Sequence, residues 1–206
     1  MIGARQAKRM LDVNQKQFQN EMQTKGNFME HNWQKSLELL LKNEGGFTAD
    51  KLDRGNKNGG STNLGITQMV YERWVGKKVD HDIMRALTPA DVGPIYKENY
   101  WKRVKADDLP SGLDFFTFSW GVNSGPGTSA KALQGIIEVV QDGGIGPKTL
   151  KALAEFDPIE VLEKMHDKRQ GFYEGISGPG GFERFGKGWT ARNKHELEEA
   201  LIMAEG

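Results

Sequence analysis

The chain has 206 residues, 28 Lys+Arg against 28 Asp+Glu, and therefore a formal net charge of zero. It is long enough for one domain with its own core, and it carries no global field that would draw it to nucleic acid or anionic lipid. It has no cysteine, which excludes disulfides, thiol nucleophiles and Cys-metal sites, and its four histidines show no paired spacing. No metal or other cofactor is therefore expected. The anomaly is 26 glycines, well above the roughly 7% of average usage.

Residues 1–35 are rich in Gln, Asn, Lys and Met and carry six Lys/Arg against three Asp/Glu. They have no continuous apolar run of the signal-peptide kind, and they read as a polar helical extension or interaction arm. Trp33, Leu37, Leu40 and Leu41 then recur at helical spacing up to Asn43, and Glu44-Gly45-Gly46 ends that helix. Residues 47–66 hold short apolar islands among Gly and Asn and read as a small irregular hairpin.

Helices with clear punctuation follow. Thr67 caps one running to Val75, with Gly76 as its stop. Thr88-Pro89-Ala90-Asp91 starts another that reaches about Trp101 and bends near Pro94. Leu113–Val122 is almost wholly apolar and is expected to be the buried central helix, with Phe115–Trp120 in the core. Thr128–Val140, Pro147–Phe156, 158–174 and 189–204 complete the set, and Met69 and Met84 are core candidates. No stretch approaches the ~20 apolar residues of a membrane span. The fold class is mainly α with a small β lobe, divided into 1–35, a part 36–125 that holds the β lobe and a helical C-terminal part 126–206 packed against it.

Glu44 carries the first chemical signal. A carboxylate at a helix C-terminus faces the negative end of the macrodipole, and it follows an apolar run. Both effects disfavour its charged form, as a general acid near neutral pH requires. Asp53, nine residues on in a polar Gly/Asn-rich loop, is expected to stay ionised. Two carboxyls in opposed environments suit glycoside hydrolysis, although a Glu before Gly-Gly is also a common solvated helix end.

The run Glu44-Gly45-Gly46-Phe47, Asp50 and Asp53, then Gly59-Gly60-Ser61-Thr62-Asn63-Leu64-Gly65-Ile66-Thr67 resembles the signature of glycoside hydrolase family 108, lysozyme-like N-acetylmuramidases common in bacteriophages. The resemblance continues through Tyr96-Lys97-Glu98-Asn99-Tyr100-Trp101 and Val122-Asn123-Ser124-Gly125-Pro126-Gly127. Leu133-Gln134 and Asp142-Gly143-Gly144-Ile145-Gly146-Pro147-Lys148-Thr149-Leu150 resemble the predicted peptidoglycan-binding region that accompanies the family. Coverage is about 36–175. Lys51 replaces the usual proline, and the loop 54–58 is longer than the family's.

The resemblance implies a lysozyme-like fold whose cleft runs between the β lobe and the helical part. It implies Glu44 as catalytic acid, and Asp53 or Thr62 as the group that holds water or stabilises charge. Asp50 reads as structural, and Thr67 as a helix cap. Tyr96 and Tyr100 share a helix face and are substrate-binding candidates, as is Asn123 through its amide. Lys148, Lys164, Lys168, Arg169 and Arg192 read as part of a solvated basic exterior. The implied activity is hydrolysis of the β-1,4 bond between N-acetylmuramic acid and N-acetylglucosamine in peptidoglycan during phage-induced lysis. Lytic transglycosylation and a non-catalytic wall-binding or secretion-assisting role are the alternatives. The partner is the glycan strand, with no nucleic acid and no stable membrane insertion, and the chain is expected to be a monomer. It would reside in the host cytoplasm before a holin releases it to the periplasm and wall, or travel on the virion through residues 1–35.

Overall fold

The computed structural model describes residues 31–50, 56 and 59–205. Residues 1–30 and Asp53 lie outside the described residues. The first described helix, α1, covers 31–43. Asn32, Trp33 and Ser36 on it are buried. Asn32 donates to the Asp114 carboxylate at 2.8 Å and to Ser111 Oγ at 3.1 Å, tying α1 to the centre of the fold.

A two-stranded antiparallel hairpin follows, β1 Thr62–Asn63 and β2 Ile66–Thr67, with Thr62 opposite Thr67 and Asn63 opposite Ile66. Thr48 adds an isolated bridge to Thr62. Next come α2 Gln68–Val75, α3 His81–Arg85 and α4 Pro89–Tyr96. Thr67 caps α2 by accepting from the Val70 N–H, and Gly76 closes it in the left-handed conformation. Thr88 and Asp91 cap α4 reciprocally. The expected helix to Trp101 is not uniform: beyond Tyr96 it widens into a π-turn over Lys97–Trp101, where the Lys102 N–H reaches back to the Lys97 carbonyl at 2.9 Å.

The rest is α5 Leu113–Ser124, α6 Pro126–Ile136, α7 Pro147–Leu153, α8 Pro158–Glu174 and α9 Phe182–Glu205. Every residue of α5 from Leu113 to Gly121 is buried, so α5 is the axis of the core. Trp33, Trp101 and Phe118 meet edge-to-face over it, with ring centroids 5.3–5.8 Å apart. α9 runs antiparallel along α5. Contacts from Ser111 to the Met203 carbonyl, Ser119 to Glu196 and Asn123 to Arg192 mark successive turns of that seam.

Three boundaries differ from the sequence reading. α6 begins at Pro126 and stops at Ile136, where Glu138 at φ 57° breaks the helix. α7 stops at Leu153 rather than Phe156. α9 begins at Phe182, not near 189, because Gly186 and Gly188 are carried inside a helix whose buried face holds it. The Gly178–Gly181 tract forms the turn before it, closed by the Phe182 N–H on the Ile176 carbonyl at 2.8 Å.

The motif around Gln134 is an internal staple. The buried Gln134 amide donates to Asp142 at 2.7 Å and to the Gly144 carbonyl at 3.0 Å, while its oxygen accepts from the Gly143 N–H at 2.9 Å. One side chain thereby folds the turn between α6 and α7 onto the end of α6. Met84 is fully buried as expected, but Met69 is 64% exposed, on the outward face of α2. Among the described residues, no helix is long and apolar enough to cross a membrane.

Candidate active site

Glu44 sits one residue beyond α1, its N–H bonded to the Leu41 carbonyl at 3.3 Å. Its half-buried carboxyl lies against the tip of the hairpin. The two turn residues there, Leu64 and Gly65, both have positive φ, 49° and 72°, the geometry of a tight two-residue hairpin turn. Leucine is strained in that conformation, and two outside bonds hold the turn. The Tyr96 hydroxyl donates to the Leu64 carbonyl at 2.9 Å, and the Asn63 amide donates to the Met84 carbonyl at 2.9 Å. Gly65 leaves room for the acid: a Cβ there would stand 2.7 Å from Glu44 Oε2 and overlap the Tyr96 hydroxyl.

Burial raises the Glu44 pKa above the ordinary carboxylate range; the Arg192 guanidinium opposes this and the Glu196 carboxylate adds to it. A carboxyl in that setting can hold a proton near neutral pH and deliver it to a leaving group.

The other predicted residues fall in different places. Tyr96 is only 1% exposed and forms the wall behind Glu44, so it offers no stacking face, contrary to the expectation of a cleft-lining ring. Its hydroxyl is pushed up by burial and by Glu44, and stays protonated. Tyr100 lies beside it with ring centroids 5.8 Å apart. It is half-buried and opens onto a groove of about 520 Å³ between α2 and the helical body. Burial raises its pKa too, with Glu44 adding to the rise and Arg103 opposing it.

Thr62 stands one ladder pair below the turn, and its hydroxyl donates to Asn56 Oδ1 at 2.8 Å. Asn56, buried and unremarked in the sequence, donates in turn to the Asp50 carbonyl at 3.0 Å. Asn123 is exposed at the end of α5; its amide nitrogen donates to the Ser119 carbonyl at 2.8 Å and its oxygen accepts from Arg192. Asn123 thus holds the cation that acts on Glu44. Among the described residues, no group of three or more His, Asp or Glu side chains is placed to hold a metal.

Sequence reasoning missed the charges beneath the acid. Arg169, read as solvated surface, is fully buried and pairs with Glu196 at 2.5 Å, their side chains 0% and 1% exposed. Glu196 also accepts from Ser119 at 2.6 Å and from Asn43, the residue before Glu44, at 3.2 Å. Arg169 Nε donates to the Tyr173 hydroxyl at 2.7 Å. The only local signal is that Arg169 and Tyr173 are four apart on one helix face.

Comparisons with known proteins place the chain in a family. The family model described as Glycosyl hydrolase 108 matches residues 37–125, and the one described as Predicted Peptidoglycan domain matches 129–194. The structure of Brucella abortus SagA is 36% identical over 86% of this chain and 98% of its own, with a TM-score of 0.73. The chain belongs to glycoside hydrolase family 108. It is a peptidoglycan-degrading N-acetylmuramidase with a mainly α, lysozyme-like fold. No curated protein sequence matches it.

In this muramidase the turn and the buried pair each lend themselves to test. Gly65→Ala is expected to cut lytic activity by roughly 10²-fold, the scale of a misplaced catalytic group, with an unchanged far-UV circular dichroism spectrum. Turbidity clearance of purified walls measures the loss. Glu196→Gln strands the Arg169 charge and is expected to destabilise the fold by about 3–5 kcal/mol in urea titration, as removal of one buried partner does.

Proposed function

We propose that Glu44 is the general acid for hydrolysis of the β-1,4 bond between N-acetylmuramic acid and N-acetylglucosamine. Its proton passes to the glycosidic oxygen as the bond to the anomeric carbon breaks. Water adds to that carbon and loses a proton to the surrounding acceptors, giving a free reducing end. The observation that carries the reading is the half-buried Glu44 carboxyl, its pKa raised, seated against the hairpin tip beside the Tyr96 hydroxyl.

Asp53 and Thr62 are the proposed assistants. Thr62 is supported by its place on the hairpin ladder: its hydroxyl hydrogen is engaged by Asn56, which leaves its oxygen free to accept from a water. The proposal for Asp53 rests on the sequence resemblance. Tyr100 and Asn123 are proposed to contact the glycan, one as a half-buried ring and one as an exposed amide. Tyr96 is proposed instead to position the turn.

Glu44→Gln is expected to lower wall hydrolysis by about 10³-fold or more, since general acid catalysis contributes 10²–10⁴-fold. The same change has a stability signature. An acid whose native pKa is raised destabilises the native state increasingly as pH climbs from its unfolded value, 4.5, through its native one. Glu44→Gln therefore gains stability over the parent near pH 7, and the gain vanishes below about pH 4. Activity near the parent level would refute the assignment. Mass spectrometry of the muropeptides reads the reaction type: water-added reducing ends accord with hydrolysis, and anhydro ends would indicate a transglycosylase.

The proposed biological role is wall lysis at the end of a bacteriophage cycle, with delivery through a holin or on the virion by way of residues 1–35. Full-length protein made in a bacterial cytoplasm is then expected to lyse cells only when a membrane pore is opened. Lysis without a pore would overturn holin-dependent delivery.

A further inference from the structure

Chemistry at Glu44 does not require the character of the groove beside Tyr100. α2 supplies Arg73 and Trp74 to one wall, and the π-turn and the residues after it supply Asn99, Tyr100 and Arg103 to the other. Its floor is the corner between α5 and α6. At about 520 Å³ it falls within the roughly 300–1,000 Å³ of ligand sites. It lies wholly before residue 129, where the peptidoglycan-region match begins, and so outside that match.

Two features set the groove apart from a plain sugar cleft. The first is charge. Arg73 and Arg103 both line it and are exposed, and among the described residues no acid lines it or pairs with either. Their neighbours behave differently: Lys78 pairs with Glu72 at 2.7 Å, Arg85 with Asp82 at 2.8 Å and Lys102 with Glu98 at 2.5 Å. The second is the apolar wall. Trp74 is 46% exposed on the rim, one helical turn from Val70.

We infer that this groove takes the stem peptide that branches from muramic acid, with Arg73 and Arg103 pairing its carboxylates and Trp74 covering its apolar side. The inference rests on the reading that this chain cleaves the peptidoglycan backbone. With the lactyl carboxyl of muramic acid tied up as the amide to the peptide, the alternating amino sugars carry no net charge, so they give two guanidinium groups that lack an acid partner among the described residues nothing to neutralise. The peptides hanging from muramic acid carry free carboxylates, and a guanidinium fork matches a carboxylate in geometry and charge. Position agrees as well. Tyr100 lines the groove, its ring packs on Tyr96, and Tyr96 backs the Glu44 carboxyl. Tyr100 and Tyr96 thus connect the groove to the carboxyl at which the glycan linkage is proposed to lie. The π-turn contributes by setting Tyr100 and Arg103 toward the groove while Trp101 is fully buried.

The test uses the full-length Glu44→Gln protein, which binds without turnover, in calorimetric titration. One titrant is a peptidoglycan tetrasaccharide carrying its stem peptides; the other is the same tetrasaccharide after amidase has removed them and the lactyl carboxyls so freed have been capped as methyl amides. The peptide-bearing fragment is expected to bind about tenfold more tightly, the scale of one or two charge-assisted contacts. Adding Arg73→Gln and Arg103→Gln, both at exposed positions, is expected to remove most of that ratio. Raising the salt concentration should shrink it in the parent. Equal affinity for the two fragments, no binding of the peptide-bearing one, or a ratio unaltered by the double change would each overturn the inference. Reducing-end release by the unmutated enzyme from intact, peptide-bearing peptidoglycan is measured separately. Failure there counts against backbone hydrolysis, and the binding ratio alone judges the peptide site.

Discussion

The buried pair between Arg169 and Glu196 is the contact on which the rest of this structure depends. Two charges taken out of water cost several kcal/mol each, which their attraction and hydrogen bonds must offset, and Arg169 keeps one buried nitrogen, Nη2, without a partner among the described residues. Here the Glu196 carboxylate is met from three other helices: Ser119 on α5, Arg169 on α8 and Asn43 at the end of α1. Arg169 also lies 5.3 Å from the centre of the Phe116 ring and shares its Nε with Tyr173. The arrangement admits little slippage, because moving any of the four helices strands a charge in an apolar core. The contact with Asn43 gives this frame a direct connection to the acid one residue later.

Glu196 consequently does two things with one charge. It fixes the end of α1, and its field adds to the burial that raises the Glu44 pKa. Arg192, one turn away on α9, works in the opposite direction and is held in place by Asn123. The acid is thus tuned by two residues of the last helix. On its other side stands the hairpin, where Gly65 admits the carboxyl and the Tyr96 hydroxyl secures the strained Leu64 carbonyl. A rigid helical frame below and a short, pinned turn above are what the proposed catalytic acid needs to keep one geometry.

Much of this was readable from residues close in sequence. Thr67 and Gly76 bracket α2, Thr88 and Asp91 cap α4, and Asp157 caps α8 at Pro158, because each cap is a bond between groups two to four residues apart. Glu44 stood out for a similar reason: a helix end, two glycines and an apolar run are all local. The readings that failed involved longer distances. Met69 fits an apolar pattern but faces solvent. Tyr96 has the spacing of a cleft residue, yet its ring is enclosed by the core. The glycines inside α9 look like helix breakers, and the packing of α9 along α5 and α8 overrides them.

By itself, then, the amino-acid sequence determined the helical class, most helix ends, the hairpin with its obligatory glycine and the acid beside it. Propensities, caps and turn dihedrals act over a few residues. The tertiary structure decided which charges are buried and which are free. Arg169 and Arg73 are the same kind of residue on the same kind of helix. One is sealed against a glutamate 27 positions away, and the other is exposed beside a groove. Burial is a sum over neighbours brought together by the whole chain, and Asn43 meets Glu196 across 153 residues. That distance is why the electrostatic setting of the acid could not be read from the motif that contains it.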